Sequence, residues 1–295
     1  MLTLKRASSI SKQGRWSIGI YEGESPVSLK PSQKAKNPVL RARDVTDCQA
    51  EFVADPFMVK EGSTWYLFCE VMDALTRKAA IGLATSSDGL TWGYQQTVLQ
   101  EPFHLSYPYV FRWKDAFFMI PESRQADAVR LYRSDHFPTS WSFVKTLMKG
   151  NFEDSSVLFH DGLWWLFSKT NPKGNDTLNL YFAKDLLGPW REHPKSPVVQ
   201  GDRRRARPAG RIVSFNGRLI RYAQECLETY GKALWAYEIS KLTTADYEER
   251  GIQPGPLLQG TGIGWNADRV HHVDPHRLDS DGWIACVDGY ARVGE

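Results

Sequence analysis

The sequence predicts an all-β fold, a five-bladed β-propeller whose ring is closed by an N-terminal strand in the last blade. A pattern of two apolar runs separated by a tight turn recurs along the 295 residues. The runs are short, aromatic and β-branched, which favours strands over helices. The units recur at intervals of about 50 residues, which is typical of propeller blades with three or four strands each.

The first three units align from the residue that opens the first apolar run to the charged residue that closes the second. In each unit these two residues are fifteen positions apart, and a turn of the Glu-Gly, Lys-Asp or Asp-Gly kind lies between the runs. The units are 55–70, 107–122 and 154–169. A third run in every unit ends on a tryptophan, and we expect its ring to cover a turn. These tryptophans are Trp92, Trp141 and Trp190.

The fourth unit is looser and the fifth is incomplete. The fourth opens at Arg207, and the fifth, which opens at Asp274, has too few strands for a blade. The run WSIGIYEGES, residues 16–25, is a strand candidate without a unit of its own. We therefore predict that it completes the fifth blade and closes the ring, because an unpaired edge would otherwise remain. A two-sheet sandwich is the alternative, but it would not require the units to resemble one another.

We predict one propeller domain over residues 1–295, although length alone would suggest two domains. The predicted blades are 51–103, 104–150, 151–202, 203–260, and 270–295 together with 16–25. Segments 28–47 and 251–269 have the composition of loops and are expected to cover one mouth of the channel.

Composition and charge exclude several classes of protein. Lys and Arg number 37 against 34 Asp and Glu, and 42% of residues are hydrophobic, so the chain is not disordered. Neither a membrane span nor a signal peptide is recognisable, so we expect a cytoplasmic protein without a membrane span. The small net charge and the lack of a binding motif argue against nucleic acid. Four cysteines without a C-x-x-C pair argue against a zinc site or a disulfide framework.

The residues that open the inner strands should meet at one mouth of the channel. They are Asp55, Tyr107, Asp154, Arg207 and Asp274. The second runs are expected to bring further polar residues to the same radius, namely Glu70, Glu122, Lys169 and Gln224. Because buried charges must be paired, such a set favours a site for a polar ligand over a core. The alternative is that each Asp-Pro pair merely caps a strand through turn hydrogen bonds.

Paired carboxylates in a cleft are what cleavage of a glycosidic bond requires. We predict Asp55 as the base or nucleophile and Glu122 or Asp154 as the acid, because neighbouring like charges raise one pKa. Arg207 and His272 are predicted to orient the substrate and Tyr107 to stack on a sugar. The other predicted binding residues are Glu70, Lys169, Gln224 and Asp274.

A guanidinium in this position would suit a carboxylate or a phosphate, so the predicted substrate is a glycoside or an acidic or phosphorylated sugar. His272 and Asp274 share one strand face, but without further spaced ligands we predict no metal site. Motifs for nucleotide cofactors and for serine hydrolases are absent, and no cofactor is predicted.

Two other functions stay open at this point, although the sequence favours an enzyme. One is a non-catalytic module that binds a glycan or a glycolipid headgroup. The other is non-glycosidic chemistry on the same scaffold, such as that of a lyase or a cyclising enzyme, since fold does not fix function.

The motifs DPF, YLFCE and SSDGLTW in the first unit resemble the five-bladed propeller glycosidases of the arabinanase, xylosidase and invertase type. This resemblance implies an Asp in the first blade as base or nucleophile, which Asp55 matches. It also implies a Glu further along as acid. The third unit departs from that pattern, because it offers Glu153 and Asp154 in the context FEDSSV.

A second set of motifs is similar to the N-terminal domain of plant glucosamine inositolphosphorylceramide transferase and its stand-alone bacterial relatives. The set comprises HLSYPYVF, MIPES, DGLWWLFS, GPWREH and YAQEC, and the similarity extends from Trp16 to Tyr290. In the plant enzymes, transfer is attributed to a separate C-terminal glycosyltransferase domain. The resemblance therefore implies that this chain acts alone or with a glycosyltransferase partner.

Overall fold

The structure is a computed structural model that describes residues 15–278 and 281–292. Within these residues it contains 23 β-strands and three short 3-10 helices, and no α-helix. The strands form five antiparallel sheets arranged as the blades of a propeller. The predicted five-bladed propeller is thereby confirmed. Residues 1–14, 279–280 and 293–295 of the predicted domain lie outside the described residues, and the single domain over 1–295 stays a prediction.

The chain begins with a hairpin and then forms two blades of four strands each. The hairpin consists of β1 (Arg15–Ser25) and β2 (Ser28–Pro31). The first blade contains β3 (Ala50–Glu61), β4 (Thr64–Asp73), β5 (Ala79–Ser86) and β6 (Gly93–Leu99). The second contains β7 (Ser106–Trp113), β8 (Ala116–Glu122), β9 (Ala128–His136) and β10 (Ser140–Lys149).

The third and fourth blades have their inner or outer strands broken into short pieces. The third contains β11 (Glu153–His160), β12 (Leu163–Lys169), β13 (Thr177–Ala183), β14 (Arg191–Glu192) and β15 (Val199–Gln200). The fourth contains β16 (Arg207–Pro208), β17 (Val213–Phe215), β18 (Arg218–Gln224), β19 (Ala233–Leu242), β20 (Tyr247–Gly251) and β21 (Leu258–Gln259). The looser repeat in the fourth unit reflects its inner strand, which is split into β16 and β17.

The last blade joins the two ends of the described chain. Its strands β22 (Val273–Arg277) and β23 (Trp283–Ala291) pair with the hairpin in the order β2-β1-β23-β22. The register of β1 against β23 runs from Arg15 opposite Ala291 to Gly23 opposite Trp283. The N-terminal strand therefore closes the ring, as predicted.

Apolar side chains form layers between neighbouring blades. Ile18 and Ile20 of β1 and Cys286 of β23 pack with Leu67 of the first blade, and all four are fully buried. Central strands such as β12, which reads LWWLFSK, are therefore covered on both faces. No helix in the described ranges has the length and apolar character needed to span a membrane.

A tryptophan closes the same turn in each of the first three blades. The indole N–H donates to a backbone carbonyl three or four residues earlier in the chain. The pairs are Trp92 with Gly89 (3.0 Å), Trp141 with Pro138 (2.8 Å) and Trp190 with Leu186 (3.1 Å). The ring thus covers the turn, as the repeat predicts.

Candidate active site on the propeller axis

A bulge near the start of each of the first three inner strands breaks the regular strand conformation. The register shifts between Ala54 and Phe57, between Ser106 and Tyr109, and between Glu153 and Ser156. The residues within the bulges have positive φ angles: Asp55 (51°), Tyr107 (45°) and Asp154 (52°). Such a conformation costs a non-glycine residue about 1–3 kcal/mol, so neighbouring groups must hold it. Bulges of this kind re-aim side chains and are common next to active sites.

Arg207 connects the fourth blade to carboxylates of the second and third blades. Its Nε donates to Asp154 Oδ2 at 2.6 Å, and its Nη1 donates to Glu153 Oε2 at 2.9 Å and to Asn175 Oδ1 at 3.0 Å. Its Nη2 lies 3.9 Å from Glu122 Oε2. The guanidinium is therefore engaged by the protein, whereas the sequence predicts that it orients a substrate.

Three cations contact the buried carboxylate of Glu153. Besides Arg207, it accepts a hydrogen bond from Lys169 Nζ at 2.7 Å and one from Arg124 Nη1 at 2.6 Å. Lys169 is 2% exposed and Gln224, which donates to Asp154 at 3.0 Å, is equally buried. In the structure both hold other side chains, and the substrate-binding role that the sequence suggests for them stays a prediction.

Three carboxyl groups next to this network are nearly buried. The side chains of Asp55, Glu70 and Glu122 are 10%, 9% and 13% exposed. Burial raises the pKa of Asp55 to about 7, and the charge of Asp154 adds to the rise. Burial also raises the pKa of Glu70 and of Glu122, to which the charges of Asp55 and Asp154 respectively contribute.

We call this group of side chains the axial cluster. It consists of Asp55, Glu70, Glu122, Glu153, Asp154, Arg124, Lys169 and Arg207. A carboxyl group that keeps its proton near neutral pH is suited to act as an acid, and a neighbouring ionised one is suited to act as a base. The axial cluster contains both kinds of environment.

Asp288, on β23, ties the last blade to the first. Its Oδ2 accepts the backbone N–H of Asp55 at 3.0 Å and lies 2.7 Å from His271 Nδ1, while its Oδ1 accepts the backbone N–H of His272 at 3.0 Å. Burial alone would raise the pKa of Asp288, but the charge and hydrogen bond of His271, the charge of His272 and the backbone N–H of Asp55 together lower it. Asp288 thus helps to hold Asp55 in its left-handed conformation.

Asp288 is not among the predicted site residues, although the repeat contains a signal for it. In every unit a polar residue follows the start of the second apolar run by five positions. The pairs are Trp65 with Glu70, Phe117 with Glu122, Trp164 with Lys169, Leu219 with Gln224 and Trp283 with Asp288.

Three residues at this junction of blades have the donor atoms of a metal site. One ring nitrogen of His271 and carboxylate oxygens of Asp55 and Asp288 lie within 4.8 Å of one another. His272 Nδ1 lies 3.8 Å from Asp55 Oδ1. Imidazole and carboxylate ligands are those of many transition-metal sites, so this group could hold such an ion.

Asp274 does not belong to the axial cluster, contrary to the sequence-based expectation. It pairs with Cys286, two positions before Asp288, so it lies deeper along the axis than the openings of the first three inner strands. There it is fully buried, 2.8 Å from Arg211 Nε and 2.9 Å from His276 Nε2. The alignment placed it at the mouth because the last inner strand lacks the bulge of the first three.

Tyr107 and His272 are also buried rather than presented to a ligand. Tyr107 is 1% exposed, and its hydroxyl oxygen lies 2.8 Å from Ser156 Oγ and accepts the N–H of Gly210 at 2.7 Å. Its ring therefore joins the second, third and fourth blades and offers no face for stacking. Neither ring nitrogen of His272 has a hydrogen-bond partner among the described residues, and burial lowers its pKa to about 4.

Two residues of the site lie outside the aligned runs. His104 Nδ1 accepts the N–H of Ala79 at 3.2 Å, so in the neutral ring Nε2 carries the proton, and it lies 3.5 Å from Glu70 Oε1. The ring of Tyr230 lies 4.9 Å from Arg207 Cζ and 5.2 Å from the ring of His271. Both come from segments between the aligned strands, so the repeat carried no signal for them.

Residues 9–290 match the family described as glucosamine inositolphosphorylceramide transferase 1, N-terminal. The enzyme of that name from Oryza sativa subsp. japonica is 37% identical over 298 residues, which cover 94% of this chain and 40% of the relative. The chain thus spans about two fifths of the length of that relative.

Solved structures of carbohydrate-active enzymes share the fold at low sequence identity. The β-1,2-mannobiose phosphorylase from Listeria innocua has a TM-score of 0.65 and 12% identity, with 93% of this chain and 97% of that chain covered. The catalytic domain of the GH62 α-L-arabinofuranosidase from Coprinopsis cinerea has a TM-score of 0.62 and 12% identity, with 96% and 98% covered.

Proposed function

Because the chain belongs to the family of the N-terminal region of glucosamine inositolphosphorylceramide transferase 1, we propose that it is a carbohydrate-active enzyme that cleaves or transfers a glycosyl unit. One observation carries the proposal. The nearly buried carboxyl groups of Asp55, Glu70 and Glu122 interact electrostatically with Asp154, which Arg207 holds at 2.6 Å. A bare binding module would not need several carboxyl groups with raised pKa values in one place.

In this proposal Glu122 is the acid and Asp55 is the base or nucleophile. Glu122 shares a hydrogen bond with Asp154, which raises the pKa of Glu122 in addition to the effect of burial. Asp154 also accepts from Arg207 and Gln224, so its role is to keep Glu122 protonated and in position. Of the two acids that the sequence predicts, Glu122 therefore fits better. Glu70, next to His104, would hydrogen-bond the bound sugar.

The name of the rice relative suggests the first glycosyl unit to test, which is glucosamine. The relative is much longer than the matched region, so we extend the activity in its name to this chain only as a proposal. A glycosyltransferase partner and a cytoplasmic location, both expected from the sequence, stay predictions.

The proposal is tested with a panel of chromogenic 4-nitrophenyl glycosides that includes the glucosaminide. We expect Glu122→Gln and Asp55→Asn each to lower turnover by about 10²- to 10⁴-fold, the usual contribution of an acid or base. Glu61→Gln is the matched control, because Glu61 pairs with Arg112 at the far end of β3 from Asp55. Saturable sugar binding without turnover of any glycoside would instead support the non-catalytic module.

A further inference from the structure

We infer that the glycosyl acceptor at this site is an uncharged hydroxyl group, of water or of an alcohol, and that inorganic phosphate is not a co-substrate. The inference rests on the proposed function and names the class of its second substrate. It also sets this chain apart from a phosphorylase, although one shares its fold.

Every permanent cation of the axial cluster is already bound by a carboxylate. Lys169 is buried against Glu153 at 2.7 Å, and Arg124 binds the same carboxylate at 2.6 Å. Arg207 uses Nε for Asp154 and Nη1 for Glu153. A phosphate ion favours cationic donors of this kind, and here it would have to share a cation whose charge a carboxylate already balances.

The carboxyl groups of the axial cluster also outnumber its cations. Asp55, Glu70, Glu122, Glu153 and Asp154 face Arg124, Lys169 and Arg207. Even if Glu70 and Glu122 both carry a proton, Glu153, Asp154 and Asp55 balance the three cations once the pH is above the Asp55 pKa of about 7. A phosphate dianion would therefore enter a site with no surplus of positive charge, where the cost of burying it is high.

Asp55 in the role of the base suits an acceptor that must lose a proton. The acceptor oxygen forms a new bond to the anomeric carbon while the bond from that carbon to the leaving oxygen breaks. The acceptor proton passes to the Asp55 carboxylate, and Glu122 gives its proton to the leaving oxygen. Phosphate, which is already anionic, would need no such base.

The test measures binding of inorganic phosphate without any turnover. For the wild type we expect no saturable binding in ³¹P NMR titrations, that is, a Kd weaker than about 10 mM. Glu153→Gln releases Lys169 and one donor each of Arg124 and Arg207, and we expect it to bind phosphate at least about tenfold more tightly. Asp154→Asn, which releases Arg207 alone, is the second variant should Glu153→Gln fail to fold.

Two controls separate the axial cluster from other basic surfaces. Glu238→Gln releases the exposed Arg218 and Arg250, and it should leave phosphate binding unchanged. Arg203 is exposed and its carbonyl accepts the N–H of Cys226, close to Gln224. If phosphate binding by the wild type disappears in Arg203→Ala, the phosphate binds at the exposed Arg203 and not in the axial cluster. That outcome supports the inference.

Saturable binding to the wild type with a Kd tighter than about 10 mM that survives Arg203→Ala would overturn the inference. So would a glycoside whose turnover requires phosphate and releases a sugar phosphate. Neither outcome would refute glycosyl transfer itself. A failure of the proposed function would appear separately, as a lack of turnover with water, alcohols and phosphate alike.

Discussion

At the scale of single residues, Arg207 pairs with more carboxyl groups than the other cations of the axial cluster do. Replacing it with methionine leaves Glu153 and Asp154 without their shared partner, and breaking a buried ion pair in this way costs about 3–5 kcal/mol. We expect that loss in the free energy of unfolding measured with urea. Arg207→Lys should lose less, because it keeps the charge but not the forked geometry.

The control for Arg207→Met is Arg218→Met. Arg218 pairs with Glu238 at 3.4 Å and its side chain is 61% exposed. Removing a surface pair of this kind should cost less than about 1 kcal/mol. Equal losses for the two variants would mean that the network around Glu153 does not stabilise the fold.

His272 gives the fold a dependence on pH. Burial lowers its pKa from 6.5 to about 4 in the folded protein. Between these values the unfolded chain binds more protons than the folded protein. The contribution of His272 to the free energy of unfolding is therefore fully present above pH 6.5 and is lost as the pH decreases toward 4. The total contribution is roughly 3 kcal/mol. His272→Phe should remove this part of the pH dependence in urea unfolding series. Wild type and variant with parallel curves between pH 7 and 4 would contradict it.

The repeat predicted the positions of some candidate residues in the fold and misplaced others, for reasons of register. Asp55 and Asp154 sit in equivalent bulges, so alignment alone brings them to the same end of their strands. Tyr107 has the same backbone position but a larger side chain, which is buried in contacts between blades. Asp274 was misplaced because a bulge is one extra residue, and a sequence does not reveal which strand lacks it.

At the scale of strands, Gly210 is where four blades come together. Its φ is 138°, and a Cβ there would lie 1.8 Å from the carbonyl oxygen of Val273 in the last blade. Its N–H donates to the hydroxyl of Tyr107, and its carbonyl accepts from Ser156 at 2.9 Å. We expect Gly210→Ala to cost at least about 4 kcal/mol, because strain and loss of these contacts act together.

Gly217→Ala separates the crowding at Gly210 from the effect of a positive φ alone. Gly217 has a φ of 74°, and its added Cβ would meet nothing within 4 Å. This variant should lose about 1–2 kcal/mol, the usual penalty for a left-handed alanine. Thermal unfolding of both variants measures the difference. A similar Tm for the two would show that the junction at Gly210 yields easily.

The strand pattern was predictable where the blades are regular. The first three units keep one spacing because each repeats the same bulge, hairpin and tryptophan-capped turn. The fourth unit departs from it because its inner strand is interrupted between β16 and β17, where Gly210 approaches the last blade. Such an interruption depends on contacts between blades, which lie far apart in the sequence.

At the scale of the whole molecule, the closure of the ring depends on β1. Its register with β23 covers Arg15 to Gly23, and its fully buried Ile18 and Ile20 fill the layer between the last blade and the first. Burying each isoleucine contributes about 1.5–3 kcal/mol. Without β1, the edge of β23 and this apolar layer would face the solvent, which favours aggregation.

We therefore expect a chain that begins at residue 26 to unfold at a much lower temperature than the full chain, or to aggregate. Adding the peptide Arg15–Ser25 should restore the Tm in a saturable way, because the peptide can add to β23 as a strand. A peptide with Ile18→Asp and Ile20→Asp is the matched control, since it keeps the backbone donors but cannot fill the apolar layer. Because Asp288 on β23 holds Asp55, rescue by the native peptide should also restore any glycoside turnover. A shortened chain with the Tm of the full chain would show that the ring is stable without its closing strand.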